Sequence, residues 1–230
     1  MKTKLFLPLF LLFFIQSWAQ TIFSEDMGSP SGTVSIATNT FQNSGTMSYS
    51  KGGQTNPADI RITSPSSGYA NSSGNGNVFF SSVSGAYGFA IEGINASNYN
   101  TISLQFGYKK ENAAAHASFS VEYWNGSSWI SLSSSTSTLF NEGTGAPAVW
   151  YLSKTLTIPT DGQIDGLKIR FIKTGNTAIR IDDVKLTAIE NVPSVTNLGA
   201  SSIPVIPLLL REMCYQPEAL SLQLQERFIR

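Results

Sequence analysis

Two acidic pairs stand at the two ends of the stretch that is richest in strand-forming residues. Glu25-Asp26 lies on the first predicted strand, and Asp182-Asp183 lies on the last. Carboxylate oxygens are ligands that Ca²⁺ prefers, and calcium outside cells is concentrated enough to fill even weak sites. If the first and last strands are neighbours in one sheet, both pairs could face a single cation. The open alternative is that ordinary hydrogen bonds, or Arg180, hold the second pair without a metal.

The second acidic pair coincides with a change in the hydrophobic pattern. Ile179 and Ile181 are in phase with each other, as are Val184 and Leu186, but the two sets lie one residue out of step. Because side chains alternate between the two faces of a strand, the change requires an extra residue between the sets. The pattern therefore predicts a β-bulge at Asp182-Asp183, and bulges redirect side chains beside functional sites.

Aromatic side chains provide a second kind of chemistry, the binding of sugars. A flat ring packs against the C–H face of a sugar, while amides and hydroxyls bind its hydroxyl groups. An Asn-Gly turn at 125–126 predicts a hairpin with Trp124 and Trp129 side by side across it. The alternative for each ring is packing in the core or against the neighbouring strand. The candidate ligand-binding residues are Trp124, Trp129, Trp150 and Tyr151, with Tyr49, Tyr69 and Tyr87 as weaker candidates.

The sequence gives little support for an enzymatic activity. The single histidine, His116, lies in a segment of small residues, which favours a surface position over a catalytic one. Glu92 and Glu122 occupy the polar phase of strand patterns, which predicts solvated sheet faces rather than the carboxylate pair of a glycosidase. We expect no catalytic residues. A hydrolase, the third hypothesis, would need a cleft that joins one of these residues to a second titratable group.

Composition and charge exclude further classes. The 230 residues include 15 Lys and Arg against 15 Asp and Glu, one His and one Cys. A neutral chain without a basic run lacks the electrostatic basis for binding nucleic acid. One His and one Cys form neither a zinc site nor a disulfide framework. With 41% hydrophobic and 11% aromatic residues, the chain is too apolar to be disordered throughout.

Residues 1–19 have the layout of a secretory signal peptide. Lys2 and Lys4 precede an apolar run at 5–15, and small residues at Ser17 and Ala19 suit cleavage before Gln20. The run is shorter than the roughly 18 apolar residues that a membrane-spanning helix needs. We therefore expect export, cleavage and no membrane insertion afterwards.

The elements that must position these residues are strands. Apolar and polar residues alternate in segments such as 101–108, 117–124 and 166–173, as in a sheet with one packed and one solvated face. Ser- and Gly-rich segments at 64–77 and 133–147 are predicted to be long loops that border a binding face. The sequence predicts an all-β, two-sheet antiparallel β-sandwich over residues 20–190. Strands are expected near 22–26, 32–37, 46–50, 59–63, 77–82, 87–93, 101–109, 117–124, 128–132, 150–158, 166–173 and 178–187.

The character of the sequence changes after Glu190. Residues 191–202 are predicted to be a linker or the start of a fibronectin-type-III-like module. Residues 203–230 contain the only cysteine, Cys214, and lack the Ser/Thr/Asn/Gly bias of the preceding chain. One hypothesis is a truncated or frame-shifted remnant of a longer protein, which implies a missing downstream domain. The other is a poorly ordered tail.

Three segments carry a resemblance to a known family. Leu167–Phe171 followed by Ile179–Leu186 resembles the closing strands of galactose-binding-like jelly rolls, which include carbohydrate-binding modules and MAM-like domains of secreted bacterial surface proteins. Val121–Trp129 is similar to a hairpin of such domains, and Phe23–Asp26 to their opening strand. The resemblance spans 21–188 and implies a jelly roll.

The resemblance also implies a structural calcium near the first and last strands, with Asp182 as the leading ligand, Glu25 as its partner, and Asp183 and Asp26 as further candidates. Together with the predicted export, it favours a secreted bacterial, non-catalytic module that binds carbohydrate or another cell-surface polymer. The alternative is an adhesive or structural spacer of a larger surface protein or exoenzyme, with no small ligand.

Overall fold

The computed structural model describes residues 18–111, 118–133, 139–141 and 148–191. Outside these ranges lie His116, most of the loop predicted at 133–147, and the predicted signal peptide, linker and tail apart from Trp18, Ala19 and Asn191. Within these ranges, no helix is both long enough and apolar enough to cross a membrane. The domain boundaries proposed from the sequence stay predictions.

Fourteen strands, arranged as two sheets, make up about half of the described residues. The first sheet contains β1 (Gln20–Glu25), β2 (Thr33–Ser35), β5 (Asp59–Arg61), β6 (Asn77–Phe80), β8 (Tyr99–Lys110), β11 (Trp150–Leu152), β12 (Leu156–Thr157) and β14 (Ile179–Glu190). The second contains β3 (Ser48–Ser50), β4 (Asn56–Pro57), β7 (Tyr87–Ile94), β9 (Phe119–Trp124), β10 (Trp129–Ser133) and β13 (Leu167–Lys173). Short 3-10 turns occupy Ile36–Thr38 and Thr160–Gly162.

The predicted all-β, two-sheet sandwich is confirmed. Within the described residues the strands pair antiparallel, except that the short β4 runs parallel to β7. From β6 to β9, and again from β12 to β14, consecutive strands alternate between the sheets, as in a jelly roll. Strand β9 shows why the sequence folds this way, since Phe119, Val121 and Tyr123 are buried between the sheets while the residues between them point outward.

An aromatic cluster fills the space between the two sheets. Phe171 of β13 lies at its centre, with its ring centroid 5.1 Å from that of Phe106 on the opposite sheet and 6.3 Å from that of Phe119. Edge-to-face and stacked ring pairs at these distances add to the free energy gained by burying apolar area. The sandwich is therefore held by packing between sheets.

The single strand expected at 150–158 is two strands, β11 and β12. The break occurs at Ser153, whose N–H donates to the carbonyl of Phe106 at 2.8 Å. The Ser153 hydroxyl oxygen accepts the Phe106 N–H at 3.0 Å, so a side chain replaces a backbone partner there. This change of partner ends the backbone hydrogen bonding between β11 and β8 without leaving a buried N–H unpaired.

The β-bulge predicted at Asp182-Asp183 is confirmed in β14. The register against β8 shifts between Asp182, which pairs with Gly107, and Lys185, which pairs with Gln105. Asp183 has a φ of 49°, in the left-handed region that few non-glycine residues adopt. Before the bulge β14 also pairs with β6, and after it β14 pairs with β1. The bulge thus marks the point where the last strand changes neighbours.

Replacing Phe171 by Ala should lower the free energy of unfolding by about 3–5 kcal/mol, because it removes a buried ring from contacts with both sheets. Urea unfolding followed by tryptophan fluorescence measures the change, with Ser82→Ala at an exposed site as the control. A loss as small as that of the control would mean that this cluster does not hold the sheets together.

Candidate functional site

The structure places the first and last strands next to each other, which was the condition for the two acidic pairs to lie close together. Strand β1 pairs antiparallel with β14, and Glu25 lies opposite Val184 directly after the bulge. The charges of Asp183 and Asp26 both act on Asp182. Three aspartates therefore share one region beside the bulge of β14.

Glu25 has a different role from the three aspartates. Its carboxylate is 1% exposed and accepts backbone N–H groups of Met27 and Gln42, each at 2.9 Å. The other oxygen accepts both the backbone N–H and the side-chain amide of Asn43, together with the hydroxyl of Tyr49. With five protein donors, Glu25 anchors the segments that follow β1 and precede β3. Calcium ligation by Glu25 stays a prediction.

Asp182 and Asp183 point in different directions because of the bulge. Asp182 is fully buried, with one oxygen accepting the N–H of Asp183 at 2.7 Å and the other 3.4 Å from the Ser73 hydroxyl. Asp183 is half-buried and accepts the hydroxyl of Tyr69 and the N–H of Ser73. A Cβ at Gly107 would overlap the hydroxyl of Tyr69, so glycine at this position makes room for the Tyr69 side chain.

Burial and neighbouring negative charges raise the pKa values of both Asp182 and Tyr69. Burial, followed by the charge of Asp183 and more weakly that of Asp26, raises the pKa of Asp182 to about 8. Burial and the neighbouring Asp183 also raise the pKa of Tyr69, which keeps its hydroxyl a donor. Asp182 is therefore protonated near neutral pH unless a cation offsets the surrounding negative charge.

No group of three or more His, Cys, Asp or Glu side chains in the described part of the chain is arranged to hold a metal ion. Asp26 is used within the protein, with one oxygen accepting the N–H of Gly28 at 3.0 Å and the other the amide of Asn75 at 2.9 Å. Calcium binding at this place stays a prediction from the sequence.

A cleft of about 420 Å³ lies beside these carboxylates on the outer face of the first sheet. It is bordered by Tyr69 and Asn71 from the loop predicted at 64–77, and by side chains of β1, β8 and β14. Sequence reasoning named Tyr69 as a weak candidate but missed Lys185 and Gln105. These two residues occupy ordinary outward positions of their strands, and only the register across the sheet shows that they are adjacent.

The tryptophan pair lies where the hairpin signal placed it, on the outer face of the second sheet. Trp124 and Trp129 are direct cross-strand partners, and their ring centroids are 5.6 Å apart in an edge-to-face arrangement. Both rings are half-buried. Beside them, the guanidinium carbon of Arg170 lies 4.2 Å from the Trp129 centroid, and the Lys168 ammonium lies 5.8 Å from that of Trp124.

Glu92 and Glu122 neutralise these two cations. Lys168 contacts Glu92 at 2.8 Å, and the Nε of Arg170 donates to Glu122 at 2.8 Å. Burial acts to raise the pKa of Glu92, but hydrogen bonds from Lys168 and Ser50 outweigh it, and the pKa is lowered. Both glutamates thus belong to ion pairs on a sheet face.

The other two aromatic candidates lie on the first sheet, away from the tryptophan pair. Trp150 is 6% exposed, and its indole N–H donates to the carbonyl of Ser64 at 3.2 Å. Tyr151 is half-buried and stacks on Tyr108 with a centroid distance of 5.9 Å. The geometry of Trp150 matches the alternative of structural packing, and the four rings do not form one site.

The contribution of Asp182 to the free energy of unfolding should fall as the pH rises from about 4 to about 8, because folded Asp182 retains a proton that the unfolded chain, with an Asp pKa of about 3.9, has lost. Asp182→Asn imitates the neutral form and should remove this component. The urea midpoints of both proteins are measured across this pH range with a chelator present. The contribution of Asp182 is then the difference between the two midpoints, which should widen towards pH 8. A constant difference would contradict the assigned pKa.

Comparisons with known proteins leave the family open. No protein family matches the chain, and no curated protein matches it. Among solved structures, the chain is similar to two cleaved adhesin domains of Lys-gingipain, one of them from Porphyromonas gingivalis. The first is 10% identical with a TM-score of 0.43, over 71% of this chain and 96% of that one. The second is 15% identical with a TM-score of 0.43, over 67% and 95%.

A third similar structure is a variant of a family 29 carbohydrate-binding module. It is 12% identical with a TM-score of 0.37, over 75% of this chain and 93% of that one. At these scores and identities, none of the three assigns a family, a ligand or an activity to this chain.

Proposed function

We propose that this chain is an exported, non-catalytic module that binds carbohydrate, or a similar cell-surface polymer, on the face carrying Trp124 and Trp129. The observation that carries the proposal is the pairing of these two rings on an outer sheet face, half-buried rather than packed in the core. Large aromatic side chains dominate binding energies because they contribute contact area at low entropic cost.

The cations beside the rings support an uncharged ligand. Lys168 and Arg170 each have a carboxylate partner, so neither of the two cations beside the rings is free to pair with an acidic polymer. Arg170 also donates to the carbonyl of Gly52 at 2.8 Å, which fixes the guanidinium against Trp129. A ring held in this way loses little freedom on binding, and the polar groups around it suit sugar hydroxyls.

The turn that carries the rings is itself held in place. Asp161 accepts the hydroxyl of Tyr123 at 2.6 Å and the amide of Asn125 at 3.2 Å. The side-chain oxygen of Asn125 accepts the N–H groups of Ser127 and Ser128 within the turn. Burial and Asp161 raise the pKa of Tyr123 to about 12, so it remains a donor at physiological pH. These bonds preorganise the hairpin for binding.

We propose in addition that a structural calcium binds near Asp26, Asp182 and Asp183. The donors there are all oxygen, as Ca²⁺ requires, and Asp182 is a buried carboxyl flanked by two others. A cation would offset that repulsion and stabilise the ionised form of Asp182. Glu25 is left out of the proposed ligand set because five protein donors engage its two oxygens, whereas each oxygen of Asp26 accepts one hydrogen bond.

The alternative function, an adhesive or structural spacer without a small ligand, would be favoured by burial of all three tryptophans that the sequence singled out. Only Trp150 is buried, while Trp124 and Trp129 remain half-exposed. This difference favours a binding face.

Affinity electrophoresis in gels containing soluble neutral polysaccharides (a β-glucan, a galactomannan or a xylan) should retard the protein in at least one gel. Trp124→Ala and Trp129→Ala should each weaken this binding about tenfold or more, as expected for an aromatic residue central to a binding face. Val83→Ala, at an exposed site elsewhere, is the control. Unchanged retardation of both tryptophan variants would refute this face as the binding site.

Calcium added to chelator-treated protein should raise its melting temperature, because an ion that binds only the folded state stabilises it by about 2.7 kcal/mol at 100 times its dissociation constant. Asp182→Asn and Asp183→Asn should abolish the response, whereas Glu25→Gln, although less stable, should keep it. Magnesium serves as the control ion. If the melting temperature does not respond to millimolar calcium, the calcium proposal is wrong.

A further inference from the structure

The cleft on the first sheet lies on the opposite side of the sandwich from the tryptophan pair. Its volume of about 420 Å³ falls within the range of roughly 300–1,000 Å³ typical of ligand pockets. The tryptophans project from the outer face of the second sheet and the cleft opens on the outer face of the first, so the core separates the two.

A row of polar side chains crosses the cleft. Lys185 of β14 pairs with Ser24 of β1 on one side and with Gln105 of β8 on the other, so the three side chains project outward from adjacent strands. Lys185 is exposed, and among the described residues it has no ion-pair partner. The row therefore offers a hydroxyl, an ammonium and an amide to a bound molecule.

The sides of the cleft add acceptors and one aromatic ring. Asp183 and Asp26 line it with carboxylates that already accept protein N–H or O–H groups, which fixes their positions. Tyr69 lies across Gly107 with its hydroxyl bound to Asp183, so its ring is held in one orientation. The apolar part of the lining includes Leu152 and Val184.

We propose that this cleft is a second carbohydrate-binding site, which takes a short segment of an uncharged, hydroxyl-rich chain. Fixed carboxylates accept hydrogen bonds from adjacent hydroxyls, while Lys185 and Gln105 donate to hydroxyl and ring oxygens. A wholly apolar or strongly charged ligand would leave part of this mixed lining unpaired.

Two sites on opposite faces allow one molecule to bridge two polymer chains. This consequence rests on the proposed function of the tryptophan face, whereas binding in the cleft does not depend on it. Bridging raises the apparent affinity for a polymer without any new contact and links separate chains into a network.

The test uses oligosaccharides of whichever neutral polysaccharide the protein binds, at a fixed calcium concentration. Isothermal titration calorimetry should give two oligosaccharides per chain, and light scattering should rise when the intact polysaccharide is mixed with the protein near equivalence. Lys185→Ala combined with Gln105→Ala should reduce the stoichiometry to one and abolish the scattering, while leaving the tryptophan site active. The matched control, Ser103→Ala with Thr187→Ala, changes an outward pair of the same two strands that does not line the cleft.

The outcomes separate the two proposals. If the wild type binds one oligosaccharide per chain and the cleft variant binds the same number, the second site is refuted and the proposed function is kept. Binding that survives removal of both tryptophans but disappears in the cleft variant would support the cleft and refute the tryptophan face. Melting temperatures of the variants near that of the wild type establish that lost binding is not lost folding. No binding by a folded wild type would overturn both.

Discussion

The last strand depends on one local constraint, the extra residue at Asp182-Asp183. Strand β14 lies at the centre of the first sheet and must direct apolar side chains into the core along its whole length. Because it changes neighbours from β6 to β1, its two halves need different registers, and the left-handed backbone at Asp183 supplies the change. The same step buries Asp182 and turns Asp183 towards Tyr69. The fold and the chemistry at the bulge thus have a common origin.

Features that depend on neighbouring residues could be predicted from the sequence. Alternation predicted the strands, an inverted phase predicted the bulge, and an Asn-Gly turn placed Trp124 beside Trp129, because each signal spans only a few residues. Features that depend on pairing between distant segments of the chain could not be predicted from the sequence. Lys185 and Gln105 meet through sheet register, and three of the five donors to Glu25 come from Gln42 and Asn43, far along the chain. The division of segment 150–158 follows from two hydrogen bonds between Ser153 and Phe106 of another strand, which no periodicity encodes.

The small number of charges shapes what the surface can recognise. Charged residues make up 13% of the chain, and on the tryptophan face both cations are paired with carboxylates. Recognition there must rest on ring contacts and hydrogen bonds, since long-range attraction between opposite net charges is absent. The buried carboxyl of Asp182 is the exception, because its environment opposes ionisation and would favour a cation. On the tryptophan face the proposed polymer therefore binds far from the proposed calcium ion, whereas in the cleft both proposed ligands would contact Asp26 and Asp183.

Mapping of the bound ligand onto the two faces tests the central claim most directly. In ¹⁵N-labelled protein titrated with a neutral oligosaccharide, the account predicts shifts of the indole signals of Trp124 and Trp129 and of the backbone signals around Lys185. The buried indole of Trp150, which is already bonded to Ser64, should stay unchanged. Shifts confined to other loops, or no shifts at saturating oligosaccharide, would contradict the account.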